Sequence, residues 1–447
     1  MKKRFKFPKN FIWGAATASY QIEGATDEGG RGRSVWDTFC ERPGKITNGD
    51  SGEGSCDHYN LWKEDISLMK KLGLQSYRFS IAWPRIFPDG DGNPNQAGIN
   101  FYNNLIDGLI EAGITPAVTL FHWDLPQNLQ NIYGGWKSSK LSRIFADYAR
   151  FCARTFGDRV TKWFTINEII CFTAVAHDDD RHAPGGYEDI SVSNQTMHNA
   201  LLAHGLAMQA IREECPDAEI GLVENLQTPW PVIDTEENHI AVHKAFYDMN
   251  QSILFPVMTG KYDKEAYIRE RKVLPGFTEE EMKIISSPMD MIGYNIYTGP
   301  AVRAADNERG WERLEDPDNF PRTDMGWTIT PQCIYWAVMN TKNHFGNIPV
   351  YITENGMAAN DKTRTNGEVW DIDRLEYFRS HLEMCARAIM DGGNLKGYYA
   401  WSLMDNFEWA HGYSKRFGLI KVNYRTKERK IKLSGEFFAD VIKNNGV

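Results

Sequence analysis

The chain has no uninterrupted apolar run of about 18 residues, the length a membrane-crossing helix needs, so no transmembrane segment is expected. Its basic start, MKKRFKFPKNF, is not followed by the apolar block of a secretory signal. Cysteine is sparse: seven residues, far apart and with no CxxC pair, read as reduced thiols rather than a disulfide framework or a thiolate metal site. These absences make a soluble, cytoplasmic protein the expectation. Positive charge is in deficit as well, with 50 Lys and Arg against 59 Asp and Glu for a formal charge of -9. That balance argues against a nucleic-acid or anionic-membrane partner, either of which calls for a basic face. No internal repeat, low-complexity tract or Pro/Ser linker divides the 447 residues, so residues 1–447 are read as one domain.

What is present is apolar and aromatic. Hydrophobic residues make up 42% and aromatic residues 13%, enough for a large core. Fourteen tryptophans suit that core, and also the flat apolar faces of sugars and aromatic ligands.

Short apolar runs alternate along the chain with longer segments of helical period. The runs are NFIWGAATASY (10–20), SYRFSIAW (76–83), ITPAVTLFHW (114–123), VTKWFTINE (160–168), EIGLVENL (219–226), MDMIGYNIY (289–297), IPVYITEN (348–355) and LKGYYAWSLMDN (395–406). Between them lie stretches such as NLWKEDISLMKKLG and GINFYNNLIDGLIEAG, apolar at i, i+3, i+4 and i+7 and closed by glycine. Strand and helix taking turns eight times predicts a (β/α)₈ TIM barrel with long active-site loops, because parallel neighbours need a covering crossover. An open doubly wound sheet is the competing arrangement, disfavoured by the lack of a Gly-rich phosphate loop after an early strand.

Chemistry in such a barrel belongs to the C-terminal strand ends. Here these carry Gln21, Arg78, His122 with Trp123, Asn167 with Glu168, Asn225, Asn295 with Tyr297, Glu354 with Asn355, and Trp401. A lone strand-end glutamate is ordinarily the residue where a strand meets water. Eight polar ends converging form a ring able to bind a neutral polyhydroxyl ligand. Glu168 and Glu354, on the fourth and seventh runs, meet only if the barrel closes. Two carboxylates facing one sugar ring are the equipment of glycosidic bond cleavage, and Arg78 is placed to hold one of them ionised.

The segments FIWGAATASYQIEG, YRFSIAWPRIFPDG, LFHWDLP, YITENG and WSLMDNFEWAHGYSKRFGL, in this order, resemble those of glycoside hydrolase family 1, the retaining β-glucosidase group, over nearly the whole chain. The resemblance implies that Glu354 is the nucleophile and Glu168 the acid/base, acting on a small-molecule β-glycoside without cofactor or metal. It further implies that Gln21, His122, Asn167, Trp401, Glu408 and Trp409 line the glycone subsite. Asn295 and Tyr297 would assist near the nucleophile, and Trp327 would stand at the aglycone entrance. The family usually has proline after the acid/base; this chain has Ile169 and Ile170, a change that touches no reacting group but restores a backbone N–H.

Three alternatives stay open from sequence alone. A 6-phospho-β-glycosidase would need a Ser/Lys/Tyr phosphate set where Glu408 and Trp409 stand, although Ser414 and Lys415 are close by. A sugar-binding or sensor protein could keep the scaffold without turnover. The HDDDRH stretch (177–182) could suggest a metal, but a solvated acidic loop accounts for the same letters. DGDGN (89–93) starts like a calcium loop, yet Pro94 and Asn100 occupy the positions for the loop glycine and final glutamate, so it is read as a turn. A homo-oligomer is left open.

Overall fold

The computed structural model describes residues 5–270 and 273–447. Eight parallel strands close into a barrel: β1 (Ile12–Ala16), β2 (Ser76–Ser80), β3 (Thr115–Phe121), β4 (Lys162–Asn167), β5 (Glu219–Asn225), β6 (Ile292–Asn295), β7 (Val350–Asn355) and β8 (Leu395–Trp401). Sequential strands are spatial neighbours, and β8 pairs with β1 to close the ring. Each apolar run read from the sequence contains one of these strands. They are continuously apolar because both faces are covered, unlike the alternating pattern of a half-solvated sheet.

The helices between them are α1 (His58–Leu72), α2 (Gln96–Glu111), α3 (Lys140–Phe156), α4 (Ile190–Glu214), α5 (Glu236–Asn250), α6 (Gln332–Phe345) and α7 (Ile372–Met390), with α8 (Leu433–Asn444) after β8. Local chemistry sets their ends. Helix α1 stops at Gly73, whose φ of 76° suits glycine and whose N–H reaches the carbonyls of Lys70 and Met69. Helix α4 starts where Asp189 accepts from the N–H of Ser191. No helix among the described residues is long and apolar enough to cross a membrane.

Side chains fill the barrel interior. Gly14 on β1 leaves room for the Tyr399 ring on β8: a Cβ there would lie 2.4 Å from that ring and 2.8 Å from the Ser76 carbonyl oxygen. The Tyr399 and Ser76 hydroxyls share a hydrogen bond at 2.9 Å. Lys162 on β4 pairs with Glu219 and donates to the Tyr351 hydroxyl at 3.1 Å, closing a floor of satisfied polar groups.

The strands are shorter than the runs read from the sequence, and two of the differences lie where the chain turns over the barrel mouth. The first run leaves its strand at Ala16 and enters a helical turn, Ser19–Ile22, so Gln21 rides on that turn rather than on a strand end. The Ser80 hydroxyl, which accepts from the N–H of Ser19 at 2.7 Å, holds the turn in place. The last run stops as a strand at Trp401, and Asp405 is drawn instead into buried pairs with Lys432 (2.6 Å) and Arg416 (2.9 Å). A small sheet of Trp230–Pro231, Ala301–Ala304 and Trp311–Arg313 packs on α5 through Ala241, Val242, Val302 and Trp311. The loop that follows it carries Trp327 to the mouth.

Candidate active site

A cavity of about 740 Å³ opens at the C-terminal ends of the strands. Glu168, Glu354, Glu408, His122, Asn295, Tyr297, Trp327, Trp401 and Trp409 all line it. Arg78 and Asn167 lie fully buried beneath: Arg78 donates to the lining carboxylate Glu354, and Asn167 is bonded to Arg78, Asn295 and His122.

Arg78 is the hub. Its Nη1 donates to Glu354 Oε1 at 2.8 Å, its Nη2 to Asn167 Oδ1 at 2.6 Å and its Nε to Thr119 Oγ1 at 3.1 Å. The Tyr297 hydroxyl donates to the other Glu354 oxygen at 2.5 Å. Both oxygens of Glu354 thus face donors, which fixes the plane of the carboxyl group.

Glu168 follows β4 with a left-handed φ of 46°, which turns its side chain out of strand alternation and into the cavity. Asn295 Nδ2 donates to Oε1 at 2.6 Å, while Asn225 Nδ2 and Cys171 Sγ both donate to Oε2 at 3.0 Å. Asn295 is itself oriented by Thr353, whose hydroxyl donates to its Oδ1 at 2.8 Å. Ile169 begins a short helical turn, Ile169–Phe172, and is fully buried, so the residue that replaces the family's usual proline packs into the core. That turn brings Cys171 back under Glu168.

The electrostatics follow from burial. Burial pushes Glu354 up to about 7; the Arg78 charge opposes this and the Glu168 charge adds to it. Glu408 is pushed up to about 8, again by burial first and then by the charges of Glu354 and Glu168. His122 is held well below its usual range by burial and by Arg78, so it stands neutral, with Nε2 near the Asn167 amide at 3.1 Å. Burial thus works against ionisation of both Glu354 and Glu408, and Arg78 opposes it at Glu354.

The aromatic wall is continuous. Trp409, at a φ of 47°, lies 4.4 Å from Trp123 and 4.5 Å from Trp36 between ring centroids. His122 stacks toward Trp401 at 6.0 Å. Gln21 donates to Asn406 Oδ1 (3.1 Å) and to the Phe407 carbonyl (2.8 Å), while its own Oε1 and Glu408 Oε2 are buried without a protein partner. Glu408 Oε2, left this way in the cavity lining, is suited to a ligand hydroxyl, whereas Gln21 is not among the residues that line the cavity. At the outer end Trp327 lies 5.2 Å from Tyr297 and 6.2 Å from Phe417.

The HDDDRH residues disperse. Asp178 accepts from the Ser193 hydroxyl, Asp179 pairs with Arg181, Asp180 pairs with Lys45, and His182 lies against Trp123 (5.1 Å) and Trp36 (5.5 Å). Among the described residues no group of three or more His, Cys, Asp or Glu side chains is placed to hold a metal ion. Sequence reasoning weighed His182 and Arg181 only within the HDDDRH stretch, as a metal site or a solvated loop, and passed over Cys171, Arg313 and Arg322; all five line the cavity. It also passed over Glu224, buried on β5 with one oxygen unpartnered and held well above the usual carboxylate range by burial and the Glu168 charge. Its signal was a second carboxylate inside the apolar run EIGLVENL.

A closed (β/α)₈ barrel whose mouth gathers two donor-clasped glutamates within an aromatic, polar-studded cavity defines a glycoside hydrolase. Comparison with known proteins agrees: the profile described as Glycosyl hydrolase family 1 matches residues 3–447. The chain is 45% identical over 444 residues to a 1,4-beta-D-glucan glucohydrolase of Thermotoga neapolitana, covering 99% of each. It is 44% identical over 447 residues to beta-glucosidase A of Acetivibrio thermocellus, again covering 99% of each. The solved family 1 β-glucosidase of Thermotoga maritima superposes with a TM-score of 0.92 at 44% identity over 100% of both chains. The chain belongs to glycosyl hydrolase family 1 and is a retaining β-glycosidase.

Proposed function

We infer that this enzyme removes the terminal glucosyl group of small β-glucosides by double displacement, with Glu354 as nucleophile and Glu168 as acid/base. The observation that carries the assignment is the asymmetry of the two carboxyls. Glu354 is clasped by a fixed cation and a phenol, which oppose the upward push of burial and favour the ionised form needed for attack on the anomeric carbon. Glu168 meets neutral amide and thiol donors and opens to the outer half of the cavity, where a leaving group would sit. In this scheme Glu168 protonates the departing oxygen as Glu354 forms the glycosyl ester, and then takes a proton from the incoming water.

Gln21, His122, Asn167, Trp401, Glu408 and Trp409 would hold the glycone hydroxyls and its apolar face, with Asn295 and Tyr297 steadying the two carboxyls and Trp327 meeting the aglycone. Residues 1–447 act as one domain in this reading, with no cofactor. The Cys171 and Cys56 thiols serve as hydrogen-bond donors, to Glu168 and to the Asp405 carbonyl, a role that needs them reduced and supports a cytoplasmic location.

The 6-phospho reading is weakened at the groups it would need. Lys415 donates to Asp324 Oδ2 at 3.0 Å and Ser414 to the His411 carbonyl at 2.6 Å, while Glu408 lines the cavity and offers a phosphate no positive charge. Release of p-nitrophenol from the β-glucoside, β-galactoside, β-fucoside and 6-phospho-β-glucoside decides among these. Turnover led by the neutral glucoside is expected; preference for the 6-phosphate, or sugar binding without turnover, contradicts the assignment.

A further inference from the structure

The cavity changes electrical character between floor and rim. At the floor Glu168, Glu354 and Glu408 line the cavity, and one buried cation, Arg78, pairs with Glu354 from beneath. At the rim the lining includes Arg181, Arg313 and Arg322 against a single carboxylate, Asp316. Arg181 is already paired with Asp179. The Arg313 guanidinium forms no ion pair with any described residue, and Arg322 donates to the Gly326 carbonyl at 2.9 Å without meeting a carboxylate among the described residues. Among the lining groups Asp316 can offset one of these two charges, which leaves one guanidinium of the cavity wall without a lining carboxylate; Glu315 and Asp318 belong to the same loop but do not line the cavity. Two histidines nearby add none near neutrality, since burial pushes His182 down to about 4 and also lowers His411.

Between rim and floor stand the rings of Trp327, Tyr297 and Phe417, which offer flat apolar faces. A guanidinium fork beyond an aromatic slot is complementary to a planar group ending in a carboxylate. One lining guanidinium without a carboxylate suits a ligand with a single carboxylate.

We propose that the leaving group this enzyme is built to accept is an aromatic aglycone bearing one carboxylate, the ring against Trp327 and the carboxylate at the Arg313 and Arg322 rim. The proposal rests on the β-glucosidase reading above, which places the glucosyl group at the floor. The probes are 4-carboxyphenyl β-glucoside and its neutral counterpart 4-carbamoylphenyl β-glucoside, compared by kcat/KM in the wild type, Arg313→Gln, Arg322→Gln and the double variant. Comparing the ratio of the two substrates between variants cancels their intrinsic reactivities. Charge-assisted contacts at a partly exposed rim lead us to expect the carboxylate-to-amide ratio to fall about fivefold in the double variant, through KM, with the neutral substrate unchanged. About 1 M salt, which shortens the screening length to about 3 Å, should lower the wild-type ratio in the same direction. A ratio indifferent to both arginines and salt overturns the proposal, as does an equal loss on both substrates, which would make the arginines structural. Turnover of neither glucoside would sink the β-glucosidase reading and this proposal with it.

Discussion

Arg78 Nη1 stands 2.8 Å from Glu354 Oε1, and both side chains are almost wholly shielded from solvent, at 1% and 4% exposure. Removing one partner of a buried pair leaves the other charge uncompensated, at a cost of about 3–5 kcal/mol. Arg78→Met should therefore lower the unfolding free energy by an amount of that order and cut kcat steeply, because Glu354 would then hold its proton. Chemical denaturation together with the acid limb of the pH–rate profile checks this. A limb that does not move to higher pH would show that Arg78 does not set the ionisation of Glu354.

Cys171 donates to Glu168 Oε2 at 3.0 Å. The thiol, together with the Asn295 and Asn225 amides, holds the plane of this carboxyl group, so Cys171→Ala should lower kcat several-fold on substrates with a poor leaving group, which need the proton, and leave those with a good leaving group little changed. Cys171→Ser, which keeps a donor, should restore the wild-type rate. An alanine variant that turns over both kinds of substrate as the wild type does would reduce the thiol to packing.

Stability should fall as pH rises across the range in which the cavity carboxyls are forced to ionise. Glu408 reaches about 8 and Glu354 about 7 when folded, against roughly 4.3 for a free glutamate. A raised folded pKa means that the native state binds protons the unfolded state has already lost. The stabilisation is complete below the unfolded value and is lost as pH climbs toward 7 and 8, by up to about 1.4 kcal/mol per pH unit and group. Thermal melts from pH 5 to 8 should show a smaller loss in Glu408→Gln than in the wild type; equal slopes would contradict the burial argument.

Gly14→Ala should destabilise the barrel without touching the cavity lining. The added Cβ meets the Tyr399 ring at 2.4 Å and the Ser76 carbonyl at 2.8 Å, and a backbone neighbour on β2 cannot swing aside. Overpacking of this kind costs about 1–3 kcal/mol, which denaturant titration would register as a lower midpoint at unchanged slope.

The barrel was legible in the sequence because each strand is buried on both faces, leaving a dense apolar run between helical segments. The strand-end residues Asn167, Glu168, Asn295 and Glu354 were legible too, since closure forces them to one mouth whatever the loops do; Arg78, read as a strand end, lies instead at the middle of β2 and reaches Glu354 from beneath. What loops contribute was not. Gln21 sits on a helical turn that apolar pattern alone does not separate from the strand before it. His182 comes to the cavity wall from an acidic loop with no periodicity to announce which residues point inward. Arg313 and Arg322 lie close together in sequence, yet their shared place at the rim depends on the path of the loop between them. The Cys171–Glu168 contact needs the left-handed φ at Glu168, which no residue type there advertises.

The most direct test of the central claim is to trap the first intermediate. A 2-deoxy-2-fluoro-β-glucoside with a good leaving group should inactivate the enzyme as one aryl group is released, and peptide mass spectrometry should place the fluoroglucosyl ester on Glu354. No adduct should form in Glu354→Gln. A label on Glu168, or one found elsewhere with Glu354 unmodified, would contradict the assignment of the nucleophile.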